Sequence, residues 1–487
     1  MIADGLPALE ARLVHDLAQI ALGGPDWAHP RQHEGNHVYD VVIVGGGQSG
    51  LAAAFGLRRE RINNILILDE NEAGREGPWV TYARMVTLRT PKHLTPVDFG
   101  VPSLTYRAWW EAQHGAEGWD KLDKIPRGDW MDYLRWYRRV LDLPVRNGAK
   151  VELVEPLNDV CDGLFRIHIA GGEPVLARKV VLATGIQGGG EWHTPAMIRD
   201  NLPRHLYAHT SEAVDYAAMQ GKRIGILGGG ASAFDNAQFA LNAGVGAAEV
   251  FIRRKVLPRI NPIRFMERVG LAARYRALDD ADKYRAMACF LSHNQPPTND
   301  TFERAAALPG FNLHLGSPWL SAEAVNDGTQ VKVTTPHGEH LFDFVVLSTG
   351  LISDHALRPE LRLVADDIAR WGERVPVPEG CDVSPAIADL IAAHPYLGPS
   401  FEILSNAPEK AAQVHGLFAF NYAALLSMGL SASALSGLEQ ALPKLASGIA
   451  DQLFLDDKDR NLAAFLTYDD EEFLGQWPRL VQSEETA

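Results

Sequence analysis

Two glycine-rich stretches of this sequence have the residue types and the spacing of turns that hold a phosphate group. In each stretch an apolar run ends in a first glycine that permits a sharp turn, and a second glycine leaves room for a pyrophosphate. A third small residue lets the following helix pack closely on the strand, and the first N–H groups of that helix face the negative charge. The residues are Gly45, Gly47 and Gly50 in the first stretch and Gly228, Gly230 and Ala233 in the second. Each stretch therefore predicts a nucleotide-binding turn.

The charged residues that follow the next apolar run differ between the two stretches. Asp69 ends the run at residues 65–68, where an acid accepts hydrogen bonds from ribose hydroxyls, and Glu70 takes this role if the strand ends one residue later. Arg253 and Arg254 stand at the corresponding place in the second stretch. An arginine pair binds a 2′-phosphate that an acid would repel, so the second nucleotide is predicted to be NADPH rather than NADH. The alternative is that these cations lie on a solvated strand end.

The elements that must position these residues occur twice. Each turn begins a strand–helix–strand unit, and each unit closes with a polar hairpin and a buried strand that ends in Thr-Gly, at Thr184-Gly185 and at Thr349-Gly350. The C-terminal third then returns to the first unit. The sequence thus predicts an α/β protein with two Rossmann-like dinucleotide-binding domains, the second inserted in the first. The predicted ranges are 1–37 for an N-terminal helical arm, 38–190 for the first part of the first domain, 191–345 for the second domain, and 346–487 for the rest of the first domain and a tail.

Two helical segments carry apolar residues on one face. In the N-terminal arm the apolar stripe either docks on the rest of the chain or forms a contact in a homo-oligomer. In residues 129–137 the largely aromatic face is a candidate for the hydrophobic core, and only secondarily for a ligand contact. The stripe consists of Leu9, Leu13, Leu17 and Ile20, and the aromatic face consists of Trp130, Tyr133, Leu134 and Tyr137.

The composition is that of a globular protein, since 46% of the residues are hydrophobic and 22% are charged. The net charge of −15 argues against nucleic acid or an anionic membrane as the main partner. No apolar stretch is long enough to span a bilayer and no signal peptide is recognisable, so a cytosolic location is expected. Cys161, Cys289 and Cys381 form no CxxC pair and are expected to be small buried residues. The 17 histidines show no spacing typical of metal ligands, so no metal site is predicted.

The order of these parts resembles that of the flavin-containing monooxygenases, over residues 39–450. The two glycine turns are specific for flavoproteins with two dinucleotide-binding domains. Shorter motifs indicate the monooxygenases among these flavoproteins. The motifs are Gly77-Pro78-Trp79, residues 88–92, Leu257-Pro258-Arg259 and His209-Thr210.

The sequence departs from the family pattern at two places. Of the Phe-Gly-His signature only His209 is present, because Pro203 and His205 occupy the other two positions. Baeyer–Villiger members usually have an arginine that contacts the flavin peroxide, and the comparable residues 292–297 contain none. Residues 421–438, by contrast, are similar to the start of the C-terminal helix in N-hydroxylating members. The resemblance is therefore nearer to the N-hydroxylating branch than to the Baeyer–Villiger branch.

The resemblance implies an enzyme that binds FAD in the first domain and NADPH in the second. It implies that NADPH reduces the flavin, that the reduced flavin reacts with O2 to a C4a-hydroperoxide, and that one oxygen atom passes to a small nitrogen or sulfur nucleophile. Three alternatives stay open. They are Baeyer–Villiger oxygenation of a ketone, an NAD(P)H-dependent flavin reductase without oxygen insertion, and a non-catalytic nucleotide sensor.

The resemblance also implies roles for individual residues. Lys92 and Asn421 are the candidates for the surroundings of the flavin ring or its peroxide, and are otherwise surface or turn residues. Trp79 is expected to pack near the flavin or, alternatively, to be a core aromatic. Thr184 and Gly185 are expected beside the cofactor or at the hinge between the domains. The expected cofactor-binding residues are Gly45, Gly47, Gln48, Ser49, Gly50, Asp69, Glu70, Trp79, Thr184 and Gly185 for FAD, and Gly228, Gly230, Ser232, Arg253 and Arg254 for NADPH.

Overall fold

A mostly parallel sheet of eight strands lies at the centre of the first unit in the computed structural model of the chain, which describes residues 5–157, 163–293, 295–432, 434–473 and 475. The strands are β1 (Arg31–His33), β2 (Asn36–Val44), β3 (Ile65–Leu68), β4 (Val145–Arg146), β5 (Val151–Leu157), β6 (Leu164–Ile169), β7 (Val175–Leu182) and β18 (Leu417–Phe418). Strands β4, β3, β2, β7 and β18 pair in parallel, whereas β1, β5 and β6 pair antiparallel at the margins. Val41, Val42 and Ile43 in β2 are fully buried, as expected for a parallel strand covered on both faces.

A second sheet of five parallel strands forms the centre of the second unit. Its strands are β9 (Tyr207–His209), β10 (Arg223–Leu227), β11 (Ala247–Ile252), β12 (Phe311–Leu315) and β16 (Phe344–Leu347), in the order β12-β11-β10-β16-β9. Three antiparallel strands pack beside it, β13 (Ser321–Val325), β14 (Gln330–Thr335) and β15 (Gly338–Phe342). A short antiparallel pair, β8 (Gly190–Trp192) and β17 (Leu351–Ser353), lies where the chain passes between the units.

The helices flank the sheets. Those of the first half are α1 (Gly5–Gln19), α2 (Gln48–Arg59), α3 (Tyr106–Lys121), α4 (Arg127–Val140), α5 (Ala196–Arg199), α6 (Ala231–Asn242), α7 (Pro262–Met266) and α8 (Val269–Arg274). Those of the second half are α9 (Asp280–Ser292), α10 (Asn299–Ala306), α11 (Trp371–Arg374), α12 (Pro385–Ala393), α13 (Ala411–Val414), α14 (Leu425–Met428), α15 (Leu438–Asp456) and α16 (Lys458–Leu466). Helix α2 follows β2 and α6 follows β10, so each unit begins with the same strand–turn–helix arrangement.

The path of the chain confirms the fold class predicted from the sequence. Strands β9 to β16 lie between β7 and β18 in the sequence, and β7 and β18 are neighbours in the first sheet. The second unit is therefore inserted in the first, and each unit has an antiparallel hairpin before its closing parallel strand. The exact domain boundaries stay a prediction.

The two amphipathic helices predicted from the sequence lie in the first unit. Helix α1 packs against α3, with Leu9 and Leu13 in the main hydrophobic core and Ile20 46% exposed. The docked alternative thus accounts for the buried part of the stripe, while a homo-oligomer contact stays a prediction. The aromatic face of α4 is confirmed as core, because Trp130, Tyr133, Leu134 and Tyr137 are all buried.

The structure also bears on the expectations about the cysteines and about membrane-spanning segments. Cys289 is exposed and Cys381 is partly buried, so the expectation that each is a small buried residue is wrong for both. Cys289 is exposed because the face of α9 that carries it points away from the core. Cys161 and Asn294 lie outside the described residues. Among the helices of the described ranges, none combines the length and the apolar character that crossing a membrane requires.

Candidate functional site

The three glycines of the first turn differ in the space around them. Gly45 has a φ of 108°, and a Cβ there would lie 2.5 Å from the carbonyl oxygen of Ala183, the residue after β7. A Cβ on Gly50 would lie 1.9 Å from the carbonyl oxygen of Gly45, so α2 contacts the turn without any space for a side chain. At Gly47 the nearest atom to such a Cβ is 3.8 Å away, in Gly77. The first and third glycines therefore permit the packing, and the second faces open space.

The second glycine turn repeats this arrangement. Gly228 has a φ of 127°, and a Cβ there would lie 2.2 Å from the carbonyl oxygen of Ser348. No atom lies within 4 Å of a Cβ built on Gly230, and Ala233 is fully buried at the third position. Neither α2 nor α6 has a side-chain N-cap, since Gly47 and Gly230 occupy those positions. Both helices thus begin with backbone N–H groups that no N-cap side chain satisfies, as at helix N-termini that bind phosphate groups.

The acid at the end of β3 is bound to the turn. Asp69 is 6% exposed, and its Oδ2 accepts a hydrogen bond from the backbone N–H of Gly46 at 2.7 Å. Its Oδ1 accepts from the backbone and side chain of Asn71, at 2.8 and 3.0 Å. Glu70, the second candidate, is exposed. Asp69 therefore holds the turn in place, and a contact of either acid with a ribose stays a prediction.

A cavity of about 370 Å³ lies beside this turn. It extends from Gly46 to the face of α4 that carries Met131, Leu134 and Arg135. Glu76 lines the cavity and is 4% exposed, and Arg138 donates a hydrogen bond to its Oε1 at 2.6 Å. Gly46 lines the cavity and donates a hydrogen bond to Asp69, so the cavity lies next to the residues predicted to bind FAD.

The segment around Trp79 has one buried donor without an acceptor. The Nε1 atom of Trp79 is buried and has no hydrogen-bond partner among the described residues. The backbone of the same segment is held in place, because Arg127 donates to the carbonyl oxygen of Trp79 and the Thr81 hydroxyl donates to that of Gly77 at 2.8 Å. A buried donor left in this way requires an explanation. A ligand that accepts a hydrogen bond beside Gly77 would supply it.

The residues at the start of α2 are placed by their helix. The Oε1 atom of Gln48 accepts a hydrogen bond from Nε1 of Trp130 at 3.1 Å, and Ser49 is 8% exposed. Both follow Gly47 in the first helical turn. Their side chains are therefore held within the first unit, and a contact of their backbone N–H groups with a phosphate stays a prediction.

Asn421 and Thr184 meet at the carboxyl ends of β18 and β7. The Nδ2 atom of Asn421 donates to the Thr184 hydroxyl at 3.1 Å, and Oδ1 accepts from the backbone N–H of Ala423 at 2.9 Å. Asn421 is 1% exposed. The backbone N–H of Tyr422 donates to the carbonyl oxygen of Gly185 at 3.1 Å. The structure thus brings Asn421, Thr184 and Gly185 together at the sheet edge that also carries Gly45.

Lys92 lies apart from that edge. Its ammonium donates to the carbonyl oxygens of Trp119 and Leu122, both at 2.6 Å, and lies 4.7 Å from the centre of the Trp119 ring. These carbonyls stand at the end of α3. Lys92 therefore acts as a C-terminal cap for α3 in this structure, and a role beside the flavin stays a prediction.

The cations after β11 have no acidic partner in the part of the chain that the structure describes. Arg253 is exposed and Arg254 is partly buried, and within the described residues no side-chain hydrogen bond or ion pair involves either guanidinium. Lys255 and Arg259 add two further exposed cations nearby. Ser232 is exposed in the first turn of α6. The end of β11 thus offers unpaired positive charge, which fits a 2′-phosphate and equally fits the alternative of a solvated strand end.

One group of possible metal ligands was not visible in the sequence. One ligand atom of each of Glu249, His314 and His340 lies within 4.8 Å of the others, on β11, β12 and β15. Arg223 donates to Oε1 of Glu249 at 2.6 Å, and Nε2 of His314 lies 2.9 Å from Oε2. No sequence spacing indicates this group, because its members come from three strands far apart in the chain. With Arg223 in contact, the group forms a charge network on the face of the second sheet.

Comparison with known proteins agrees with this arrangement. A family model described as FAD-NAD(P)-binding matches residues 42–187, and one described as L-lysine 6-monooxygenase/L-ornithine 5-monooxygenase matches residues 120–268. The chain is 60% identical over 478 residues to the FAD-dependent urate hydroxylase of Xanthomonas campestris pv. campestris, covering 98% of this chain and 99% of that protein.

Solved structures of similar fold are also flavoenzymes. The ornithine hydroxylase PvdA of Pseudomonas aeruginosa superposes with a TM-score of 0.66 at 19% identity, covering 85% of this chain and 100% of that one. The ornithine N-hydroxylase KtzI of Kutzneria sp. 744, solved with reduced FAD, NADP+ and L-ornithine, gives a TM-score of 0.65 at 16% identity, covering 85% and 99%. At these identities the likeness concerns the fold.

Proposed function

The chain is an FAD-dependent monooxygenase of the flavin-containing monooxygenase superfamily, in the family of the FAD-dependent urate hydroxylase of Xanthomonas campestris, and from this premise we propose that it hydroxylates urate with NADPH and O2. The observation that carries the proposal is the identity of 60% along nearly the whole of both chains. Urate is a planar, electron-rich heterocycle, so it is suited to accept an electrophilic oxygen atom.

The proposed reaction consumes one urate, one O2, one NADPH and one proton, and yields hydroxylated urate, water and NADP+. When bound and reduced, FAD supplies the oxygen-transfer chemistry, which we propose proceeds through a C4a-hydroperoxide. The protein binds and orients the two cofactors. The free N–H groups after Gly47 and Gly230 are the proposed pyrophosphate sites, and Arg253 with Arg254 is the proposed 2′-phosphate site.

The residues at the carboxyl edge of the first sheet are proposed to surround the flavin. Asn421 is held by Thr184 and by the backbone of Ala423, so its side chain is fixed in one orientation. Nε1 of Trp79 is the buried donor that a cofactor acceptor would satisfy. Both residues therefore position and shield the ring rather than supply a titrating group.

Oxygenation of an amine or thioether is the second candidate. The match of residues 120–268 to the lysine/ornithine monooxygenase family model favours a nitrogen nucleophile. Urate is preferred because the urate hydroxylase is 60% identical along nearly the whole chain, whereas the ornithine hydroxylase PvdA is 19% identical.

A substrate panel tests the proposal. The FAD-loaded protein is incubated with NADPH and O2 and with urate, ornithine, a thioether or a ketone, and products are identified by mass spectrometry. We expect urate to gain one oxygen atom, derived from isotopically labelled O2, with one NADPH consumed for each urate. Unchanged urate together with an oxygenated amine or thioether would contradict the urate assignment. NADPH consumption that yields only hydrogen peroxide with every substrate would contradict the monooxygenase reaction.

A further inference from the structure

Two loops of the first unit are joined to each other and both reach the second unit. The backbone N–H of Leu88 donates to Ile125 at 2.7 Å, and that of Arg127 donates to Val86 at 3.2 Å. Residues 86–89 and 124–127 therefore form one bridged element. Its side chains Arg89 and Lys124 contact α6 and α10 of the second unit, and we call these two ion pairs the seam.

The first ion pair of the seam joins Arg89 to Asp235 on α6. Asp235 is 3% exposed, and its other carboxylate oxygen lies 3.5 Å from the Thr301 hydroxyl. Burial raises the pKa of Asp235, and the charge of Arg89 opposes that rise. Because a buried carboxylate is unfavourable without a partner, this contact fixes where α6 lies against the first unit.

The second ion pair joins Lys124 to Asp300 on α10 at 2.7 Å. Arg304, one turn further along α10, holds the other carboxylate oxygen of Asp300 at 2.7 Å. Helix α10 packs on α6, so both ion pairs act on one rigid pair of helices. A third contact is a cation–π interaction, in which the guanidinium of Arg84 lies 5.1 Å from the centre of the Phe239 ring on α6. As in the two ion pairs, the first unit supplies the cation.

Helix α6 is the helix whose N-terminus at Gly230 faces the open space of the second turn. Asp235 lies one helical turn from that end. Whatever holds Asp235 therefore also sets the position of a nucleotide bound at Gly230.

We propose that Arg89 and Lys124 are positioning residues that hold the NADPH-binding helix at the distance from the FAD-binding unit that hydride transfer requires. This inference rests on the proposed function. Hydride transfer needs the nicotinamide in contact with the flavin, and a misplacement of about 1 Å can slow such a step about 100-fold. The seam residues pair with Asp235 and Asp300 of the second unit, so they are proposed to act through the orientation of the two units.

The test is a charge swap at the exposed ion pair, measured in the reductive half-reaction without substrate. Lys124 is 27% exposed and Asp300 is 31% exposed, so replacement leaves the core intact. Lys124→Glu and Asp300→Lys should each lower the limiting rate of flavin reduction by NADPH about tenfold or more. The double variant Lys124→Glu/Asp300→Lys restores opposite charges across the seam but also takes the acid away from Arg304, so its rate should be several-fold higher than that of either single variant without reaching that of wild type.

Two controls separate positioning from general damage. Arg285→Glu breaks the comparable surface ion pair with Asp282 on α9 and should leave the rate unchanged. FAD content and thermal midpoint should stay at the wild-type value in the Lys124 and Asp300 variants, whereas Arg89→Met leaves the buried Asp235 without its partner and should lower the midpoint. Arg89→Lys should retain more of the rate than Arg89→Met.

The outcomes distinguish the two proposals. If NADPH does not reduce the flavin bound to the wild-type protein, the proposed function is contradicted, and the role proposed for the seam with it. If NADPH reduces the flavin of the wild type and that of Lys124→Glu equally fast, only the role proposed for the seam is overturned. A double variant no faster than the single variants, or a rate in the Lys124 and Asp300 variants that falls only together with FAD content and thermal midpoint, would overturn it as well.

Discussion

Gly47 and Gly230 hold equivalent positions at the N-termini of α2 and α6. Their φ angles of −71° and −76° suit any residue, and a Cβ would meet no protein atom closer than 3.8 Å at Gly47 and none within 4 Å at Gly230. The protein therefore leaves room for a Cβ at both positions, and we expect a bound pyrophosphate to be what a branched side chain would meet. We expect Gly47→Val to yield protein without FAD, and Gly230→Val to yield flavin-loaded protein that NADPH reduces at least tenfold more slowly, roughly the loss of one charged hydrogen bond. Flavin absorbance per protein and rapid-mixing reduction measure the two effects.

Gly128→Val is the matched control for this pair. Gly128 is exposed on α4, and no atom lies within 4 Å of a Cβ built there. This variant should keep both FAD and reduction by NADPH. Full FAD occupancy in Gly47→Val would contradict the assignment of the first turn to a pyrophosphate.

Arg253 and Arg254 carry the predicted preference for NADPH. Replacing both by alanine should raise the KM for NADPH about tenfold or more and leave the KM for NADH within about twofold, because NADH lacks the 2′-phosphate. Steady-state kinetics with both nucleotides measures the difference. Arg199→Ala, which removes an exposed cation elsewhere in the second unit, should change neither KM. Equal effects on both nucleotides would favour the solvated strand end instead.

At the scale of single elements, Lys92 decides how α3 ends. Its ammonium donates to the carbonyl oxygen of the cap residue Leu122 and to that of Trp119, which also accepts from the backbone N–H of Leu122 at 3.2 Å. Lys92→Met should lower the free energy of unfolding by about 2 kcal/mol, because charged hydrogen bonds contribute about that much. Lys121→Met, which alters an exposed lysine on the same helix, should have little effect. Denaturant unfolding gives both values, and a fall in kcat at unchanged stability would instead support the sequence-based role beside the flavin.

At the scale of the whole molecule, a buried charge network joins distant parts of the chain. Arg178 and Lys179 on β7 are fully buried. Asp457 lies 2.9 Å from Arg178 and Asp456 lies 2.8 Å from Lys179, both at the end of α15. Asp40 on β2 completes the network at 3.4 Å from Arg178. The network fastens the C-terminal helix to the first sheet.

Replacing Asp456 should show how much this network contributes to the free energy of unfolding. Asp456→Asn leaves the Lys179 charge buried without its acid, so the free energy of unfolding at neutral pH should fall by about 3 kcal/mol. Burial tends to raise the pKa of Asp456, but the hydrogen bond with His415 and the charge of Lys179 hold it below its ordinary value of 3.8. A lowered pKa stabilises the fold above that value, and the stabilisation is lost as the pH falls through the folded-state pKa.

Thermal unfolding across pH measures this dependence. The midpoints of wild type and Asp456→Asn should differ most at neutral pH and converge below the ordinary value of 3.8. Asp451→Asn, on the exposed face of the same helix, should follow wild type throughout. A difference that persists undiminished in acid would show that the variant acts through packing instead of charge.

Features that depend on neighbouring residues could be predicted from the sequence. The glycine turns, the buried strand before each turn and the two-unit α/β fold follow from local spacing, because a phosphate turn needs its small residues at fixed intervals. The cofactor class followed too, and the relation to the flavin-containing monooxygenases is confirmed by a relative that is similar along the whole chain.

Contacts between residues that are distant in the sequence became visible only in the folded structure. Asn421 contacts Thr184 across 237 positions of sequence, and Lys92 reaches the end of α3 instead of the sheet edge. Asp69 is held by Gly46, and Lys124 finds Asp300 in the other unit. Each of these contacts depends on how helices and strands pack, which no local pattern encodes. Side-chain partners across a domain interface are therefore settled by the fold, while the turns that bind nucleotides can be recognised before it.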